Sequence, residues 1–164
     1  MKRSLILPLL VFSGFTINAQ SLKDAIRLNE NEQQEAAAEM YQQLLIKEPN
    51  NGALYYYYGE NWLDAEQPEK AAEAFAKGLE KDPANPLNLI GQGEIKLSKG
   101  DLAGGKPLVE QAVKLGAGKN ALVLMEAGEA LMHYPKAQDL MSAQTYLDLA
   151  VKLDPKNPEV YNLR

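Results

Sequence analysis

Residues 55–62 read Tyr-Tyr-Tyr-Tyr-Gly-Glu-Asn-Trp, and Ala71, Phe75 and Pro83 follow. Stepping back 34 residues from those last three gives Ala37, Tyr41 and Pro49. Downstream, Ala143, Leu147 and Pro155 stand with the same gaps of four and eight. A fixed period of this size marks stacked supersecondary units rather than one globular core. It points to binding rather than to chemistry.

From Gln20 onward the apolar residues fall three and four apart, as in Ala71, Ala72, Phe75 and Leu79, so each stretch has one buried helical stripe. No stretch alternates, and no strand is expected. Breakers punctuate the chain at Pro49-Asn50-Asn51-Gly52, Asp82 to Pro86, Gly116-Ala117-Gly118 and Asp154 to Pro158. Between them the spacing predicts helix pairs at 21–29 with 33–47, 52–64 with 68–81, 86–98 with 102–115 and 120–133 with 140–153. Ser21 reads as the N-cap of the first helix and Asp101 as the cap after the Gly100 turn. Pro68 suits a first helical turn, where its missing N–H costs nothing.

Gly59, Gly93 and Gly128 fall inside predicted helices, where glycine costs about 1 kcal/mol relative to alanine. The cost is tolerable if the absent side chain lets the paired helix approach. Ala37, Ala71, Gly105 and Ala143 are the small residues expected on that facing helix, with Tyr41, Phe75, Val109 and Leu147 in the seams. The phrase Tyr55-x2-Tyr58-Gly59-x2-Trp62, then Ala71-x3-Phe75 and Pro83, resembles the tetratricopeptide repeat. The third unit departs from it at Val109 and Ala117, and the fourth carries about three extra residues near Tyr134 to Ser142. The resemblance implies an all-α, right-handed α-solenoid of about four helix-turn-helix units, near 20–51, 52–85, 86–119 and 120–157. Residues 158–164 would begin a fifth unit within a longer protein.

Residues 1–19 have the anatomy of a secretory signal peptide: basic Lys2 and Arg3, a mostly apolar Leu5 to Ile17, and a cut expected after Ala19. The expectation is export to the periplasm or cell envelope, with no membrane insertion once the leader is removed. Without it, 15 basic residues face 22 acidic ones. An acidic body is a poor match for nucleic acid or anionic lipid. The chain has no cysteine, hence no disulfide, thiolate nucleophile or cysteine metal site. His133 is the single histidine, at a predicted helix end where it favours the local dipole. Gly116 to Lys119 lacks the strand, spacing and Ser or Thr of a phosphate loop. No nucleophile, base and orienter stand together, so neither an enzyme nor a cofactor is expected.

Inside the repeat a second phrase recurs: Gly59-Glu60, Gly93-Glu94 and Gly128-Glu129. In tetratricopeptide-like arrays the leading helices line the concave surface. Residues four before and three after each glutamate share its face. The resemblance therefore implies a concave partner-binding strip of Tyr56, Glu60, Leu63, Ile90, Glu94, Leu97, Met125, Glu129 and Met132, extended by Leu22 and Ile26. Such a strip suits a peptide or protein partner carrying Lys or Arg. In the tyrosine run, Tyr55 and Tyr58 match core places, Tyr56 the groove and Tyr57 an edge.

Overall fold

A computed structural model describes residues 19–156. These residues form eight helices: α1 Ala19–Glu30, α2 Gln34–Lys47, α3 Gly52–Asp64, α4 Pro68–Lys81, α5 Leu87–Leu97, α6 Leu102–Leu115, α7 Ala121–His133 and α8 Leu140–Leu153. No strand occurs among the described residues, and no helix there is long and apolar enough to cross a membrane. Apart from Ala19, the expected leader lies outside the described residues, as does the expected start of a fifth unit.

Successive helices pack as pairs, α1 on α2, α3 on α4, α5 on α6 and α7 on α8. Each second helix also packs on the first helix of the next pair. The first helices touch one another in an inner row, α1 to α3, α3 to α5 and α5 to α7. This connectivity is an α-solenoid, in which a unit contacts only its neighbours and its exposed apolar face is covered by the next.

The mid-helix glycines explain how closely the pairs approach. A Cβ built on Gly59 would lie 2.2 Å from the Phe75 ring, and one on Gly128 would lie 2.7 Å from Leu147. At Gly93 the same atom would meet Val109 at 3.0 Å. The seam residues are shut away from solvent, with Tyr41 at 1%, Phe75 and Val109 at 0% and Leu147 at 2% exposure. Phe75 also reaches across the unit boundary, because a Cβ on Gly91 of α5 would lie 2.3 Å from its ring. Repeat spacing does not show this second glycine. A buried polar link joins the same units: the Asn88 amide donates to the Gly52 carbonyl at 2.8 Å.

Turn chemistry follows the repeat as well. Glu32, Glu66 and Gly100 share one repeat position and all adopt positive φ, 59°, 56° and 80°. Each ends its helix with the next residue donating back to the carbonyl five before it, as Gln67 does to Trp62 at 2.8 Å. Only Gly100 advertises this conformation in sequence. Asp101 caps α6 through Gly104 N–H at 2.8 Å, as its position predicts. Ser21 does not cap α1, because that helix begins at Ala19 and places Ser21 inside its first turn.

The fourth unit replaces the tight turn with residues 134–139 between α7 and α8. Ala137 in this loop is 2% exposed, and Asp139 N–H donates to Leu131 O. Asp139 also caps α8, accepting from the Ser142 backbone and hydroxyl at 3.1 and 2.8 Å. Lys106 of α6 pairs with the same carboxylate. The Lys106 hydrogen bond, followed by those from Ser142, holds Asp139 down at about 2. The insertion is thus fastened to the third unit.

Candidate functional site

The nine side chains expected on the open strip all lie on the inner helices α3, α5 and α7. The structure gives them unequal access. Tyr56 is 1% exposed, Ile90 and Leu97 0%, Met125 5% and Glu94 6%. Glu60, Leu63, Glu129 and Met132 are half-buried. The expected open apolar strip is therefore closed over part of its length. Curvature is the physical cause: the Tyr56 hydroxyl of α3 donates to Glu126 Oε2 of α7 at 2.9 Å, linking two helices with α5 between them in the row. Tyr56 is the most buried of the four tyrosines, packed edge-on to Tyr57 and 6.0 Å from the Phe75 ring. Tyr55 and Tyr58, expected in the core, are only half-buried. Their hydroxyls meet Pro49 O at 3.1 Å and the Gln42 amide at 2.9 Å.

Two of the three glutamates, Glu60 and Glu94, come together, with Glu94 buried. Glu60 and Glu94 share a hydrogen bond in which Glu60 donates and Glu94 accepts. Burial, then the neighbouring Glu94 charge, pushes Glu60 well above the carboxylate range. Burial pushes Glu94 up to about 8, against the hydrogen bond from Glu60, with Glu126, Glu129 and Asp64 adding to the rise. Glu60 Oε1 and Glu94 Oε2 are both buried.

A cleft of about 400 Å³ opens at the C-terminal ends of α3, α5 and α7. Leu63, Asp64, Lys99, His133 and Tyr134 line it. Burial raises the Tyr134 phenol, and the charges of Glu94, Glu60, Asp64 and Glu129 raise it further, tying the cleft to the acids. Glu126 and Tyr134 were not among the expected site residues. Tyr134 belongs to the out-of-phase insertion, and Glu126 is brought in only by curvature. His133 is exposed at the end of α7, its ring edge-on to Tyr134 at 4.8 Å.

The Tetratricopeptide repeat family model matches residues 22–86, which span α1 to the edge of α5. That stretch, the first two helix pairs, is similar to the tetratricopeptide repeat. No curated protein matches it. Among solved structures, the crystal structure of MamA is similar at 15% identity, over 85% of this chain and 79% of that one, with a TM-score of 0.49. A structure of MamA AMB-1 is similar at 14% identity, over 88% and 77%, with a TM-score of 0.47. A third, of MamA protein, gives 14% identity, 89% and 80% coverage and a TM-score of 0.47.

On its other side the helical array carries a groove of about 700 Å³ between the outer helices α2 and α4. Tyr55, Tyr58 and Trp62 form its floor, and Ile46, 80% exposed, stands at its edge. Lys70 lies over the Trp62 ring at 4.1 Å, a cation–π contact that covers much of that aromatic face.

Proposed function

We propose that this tetratricopeptide array is an exported, non-catalytic scaffold that holds a peptide or protein partner against its inner helices. Repeats of this family act in general as protein interaction scaffolds. One observation carries the choice of surface: Glu60, Leu63, Glu129 and Met132 converge half-buried on the inner row, next to an open cleft. Apolar and acidic groups side by side suit a segment with apolar and basic residues. Export rests on the leader pattern of Lys2, Arg3, Leu5 to Ile17 and Ala19, and gives a periplasmic or envelope location.

Photo-crosslinking in intact cells tests the surface. A photoreactive residue at Leu63 or Met132 is expected to give a discrete polypeptide adduct in the envelope fraction, and one at Ile46 of α2 none. Adducts at Ile46 alone would overturn the inner-surface reading. Recovery of the chain in the cytoplasm with its N-terminal 19 residues intact would overturn export.

One observation favours a second reading, an assembly module that docks through its fourth unit. Met141, Leu149 and Leu153 of α8 are 83%, 38% and 46% exposed. The positions equivalent to Leu149 carry Gln43, Lys77 and Gln111 in the other units. On that reading Leu149→Lys with Leu153→Lys abolishes assembly, seen by light scattering, and leaves the inner-surface crosslinks intact. Unchanged mass for this variant removes the reading.

A further inference from the structure

The groove between α2 and α4 has a lining that the repeat does not impose. Its floor is three aromatic residues of α3, Tyr55, Tyr58 and Trp62, and its α4 wall carries Lys70, Glu73 and Lys77. The facing α2 wall, with Leu45 and Ile46, bears no charge. One unit on, 34 residues along, the floor positions hold Leu89, Gln92 and Lys96. The matching wall positions hold Gly104, Pro107 and Gln111. Stacking of helix pairs therefore requires neither the three rings nor the two lysines. At about 700 Å³ the groove lies within the roughly 300–1,000 Å³ of small-molecule sites, which join an apolar lining to a few polar groups.

Those polar groups favour an anion. Lys70 lies over the Trp62 ring at 4.1 Å, which holds one positive charge at the aromatic floor. Lys77 stands two turns further along the same face of α4. Glu80, one turn beyond Lys77, is paired with Lys81 at 2.9 Å. The Tyr58 oxygen accepts from the Gln42 amide at 2.9 Å, which leaves its own proton to donate. The Tyr55 hydroxyl is committed to Pro49 O at 3.1 Å, so that residue offers its ring alone. Against these donors stands one carboxylate, Glu73. Two lysines and one glutamate leave the lining with a single net positive charge. That balance matches a ligand with one anionic group, and Glu73 repels a second.

We propose that this groove binds a small aromatic carboxylate, its ring laid against Tyr55, Tyr58 and Trp62 and its charge drawn to the α4 lysines. An aromatic floor favours a ring over an alkyl chain, because ring pairs gain edge and face contacts beyond the area they bury. Tyr58 and Trp62 already make such a contact, edge-on with centroids 5.6 Å apart. The groove lies away from the inner helices, so its ligand is independent of the polypeptide they hold.

Trp62 is the only tryptophan in the chain, and its indole N–H gives one reporter signal in a proton–nitrogen NMR spectrum. Titration of the intact chain with 2-naphthoate is expected to move that signal to saturation. 2-Naphthalenemethanol, with the same rings and no charge, is expected to bind about tenfold more weakly, having lost the charge-assisted hydrogen bonds. Lys77 and Glu73 are both exposed, so their substitution spares the fold. Lys77→Met is expected to weaken naphthoate about three- to fivefold, the range of one exposed ion pair, and to leave the alcohol unchanged. Glu73→Gln is expected to raise the affinity for 2,6-naphthalenedicarboxylate more than that for naphthoate. No saturable Trp62 shift with naphthoate, equal affinity for naphthoate and the alcohol, or undiminished naphthoate binding in Lys77→Met would overturn the proposal. Tighter binding of decanoate than of naphthoate would give the groove to an alkyl chain and overturn it too. So would a polypeptide adduct from the photoreactive residue at Ile46, which would give the groove to a protein.

Discussion

Replacing Phe75 with alanine is expected to lower the unfolding free energy by about 3–5 kcal/mol, the usual cost of emptying a fully buried aromatic site. Phe75 is 0% exposed and stacks near Tyr56 with ring centroids 6.0 Å apart. Its environment makes the cost hard to recover. The ring fills the space left by Gly59 in its own unit and Gly91 in the next, and neither has a side chain to move into a void. The cavity would also sit at a unit boundary, so the variant loosens the coupling between the second and third units. The converse change, Gly59→Ala, gains about 1 kcal/mol in helix propensity. It drives a Cβ to 2.2 Å from the same ring, and overpacking of that kind costs about 1–3 kcal/mol. Net destabilisation is expected. Urea unfolding followed by circular dichroism measures both. A loss under 1 kcal/mol for Phe75→Ala would show that the seam is not packed as described.

The second large effect is a stability that falls as pH rises through neutrality. Glu94 has an ordinary value of 4.5 and sits at about 8 in the folded chain, and Glu60 is raised as well. Between those limits the folded state holds protons that the unfolded state has released. Stability is therefore fully present below about pH 4.5 and declines as pH climbs toward 8. For one group the limiting slope is about 1.4 kcal/mol per pH unit. Glu94→Gln keeps an acceptor for the Glu60 proton and removes one titrating carboxyl. Its melting temperature is expected to fall less between pH 5 and pH 8.5 than that of the unaltered chain. Parallel melting curves for the two proteins would contradict the burial of Glu94 as an acid.

The periodic part of this architecture was legible in the residues themselves. Gly93 with Gly105 and Gly128 with Ala143 approach as the spacing predicts, whereas Gly59 meets the seam residue Phe75 rather than Ala71. Helix ends were legible where Asp101 or Pro68 marks them. They were not legible where the cue is conformational: Glu32 and Glu66 take the left-handed turn that only Gly100 betrays. The site was half legible. Its glutamates share a face through their common phase, which one unit suffices to show. Whether that face is open depends on small rotations accumulated over three units, and no residue type records that sum. The Tyr56–Glu126 bond crosses that row, whose middle glutamate, Glu94, is buried while Glu60 and Glu129 are half-buried. Tyr134 enters from an insertion that breaks the period, so phase could not place it.

Carbon-13 NMR titration of the glutamate side-chain carboxyls, with Glu60→Gln and Glu94→Gln for assignment, asks whether the inner row holds shared protons. The expected result is one carboxyl titrating near pH 8, a second held well above the usual range, and a shift in the survivor when either partner is replaced. All glutamates titrating near 4.5, unmoved by either substitution, would show ordinary solvated carboxylates and contradict a buried, proton-sharing pair.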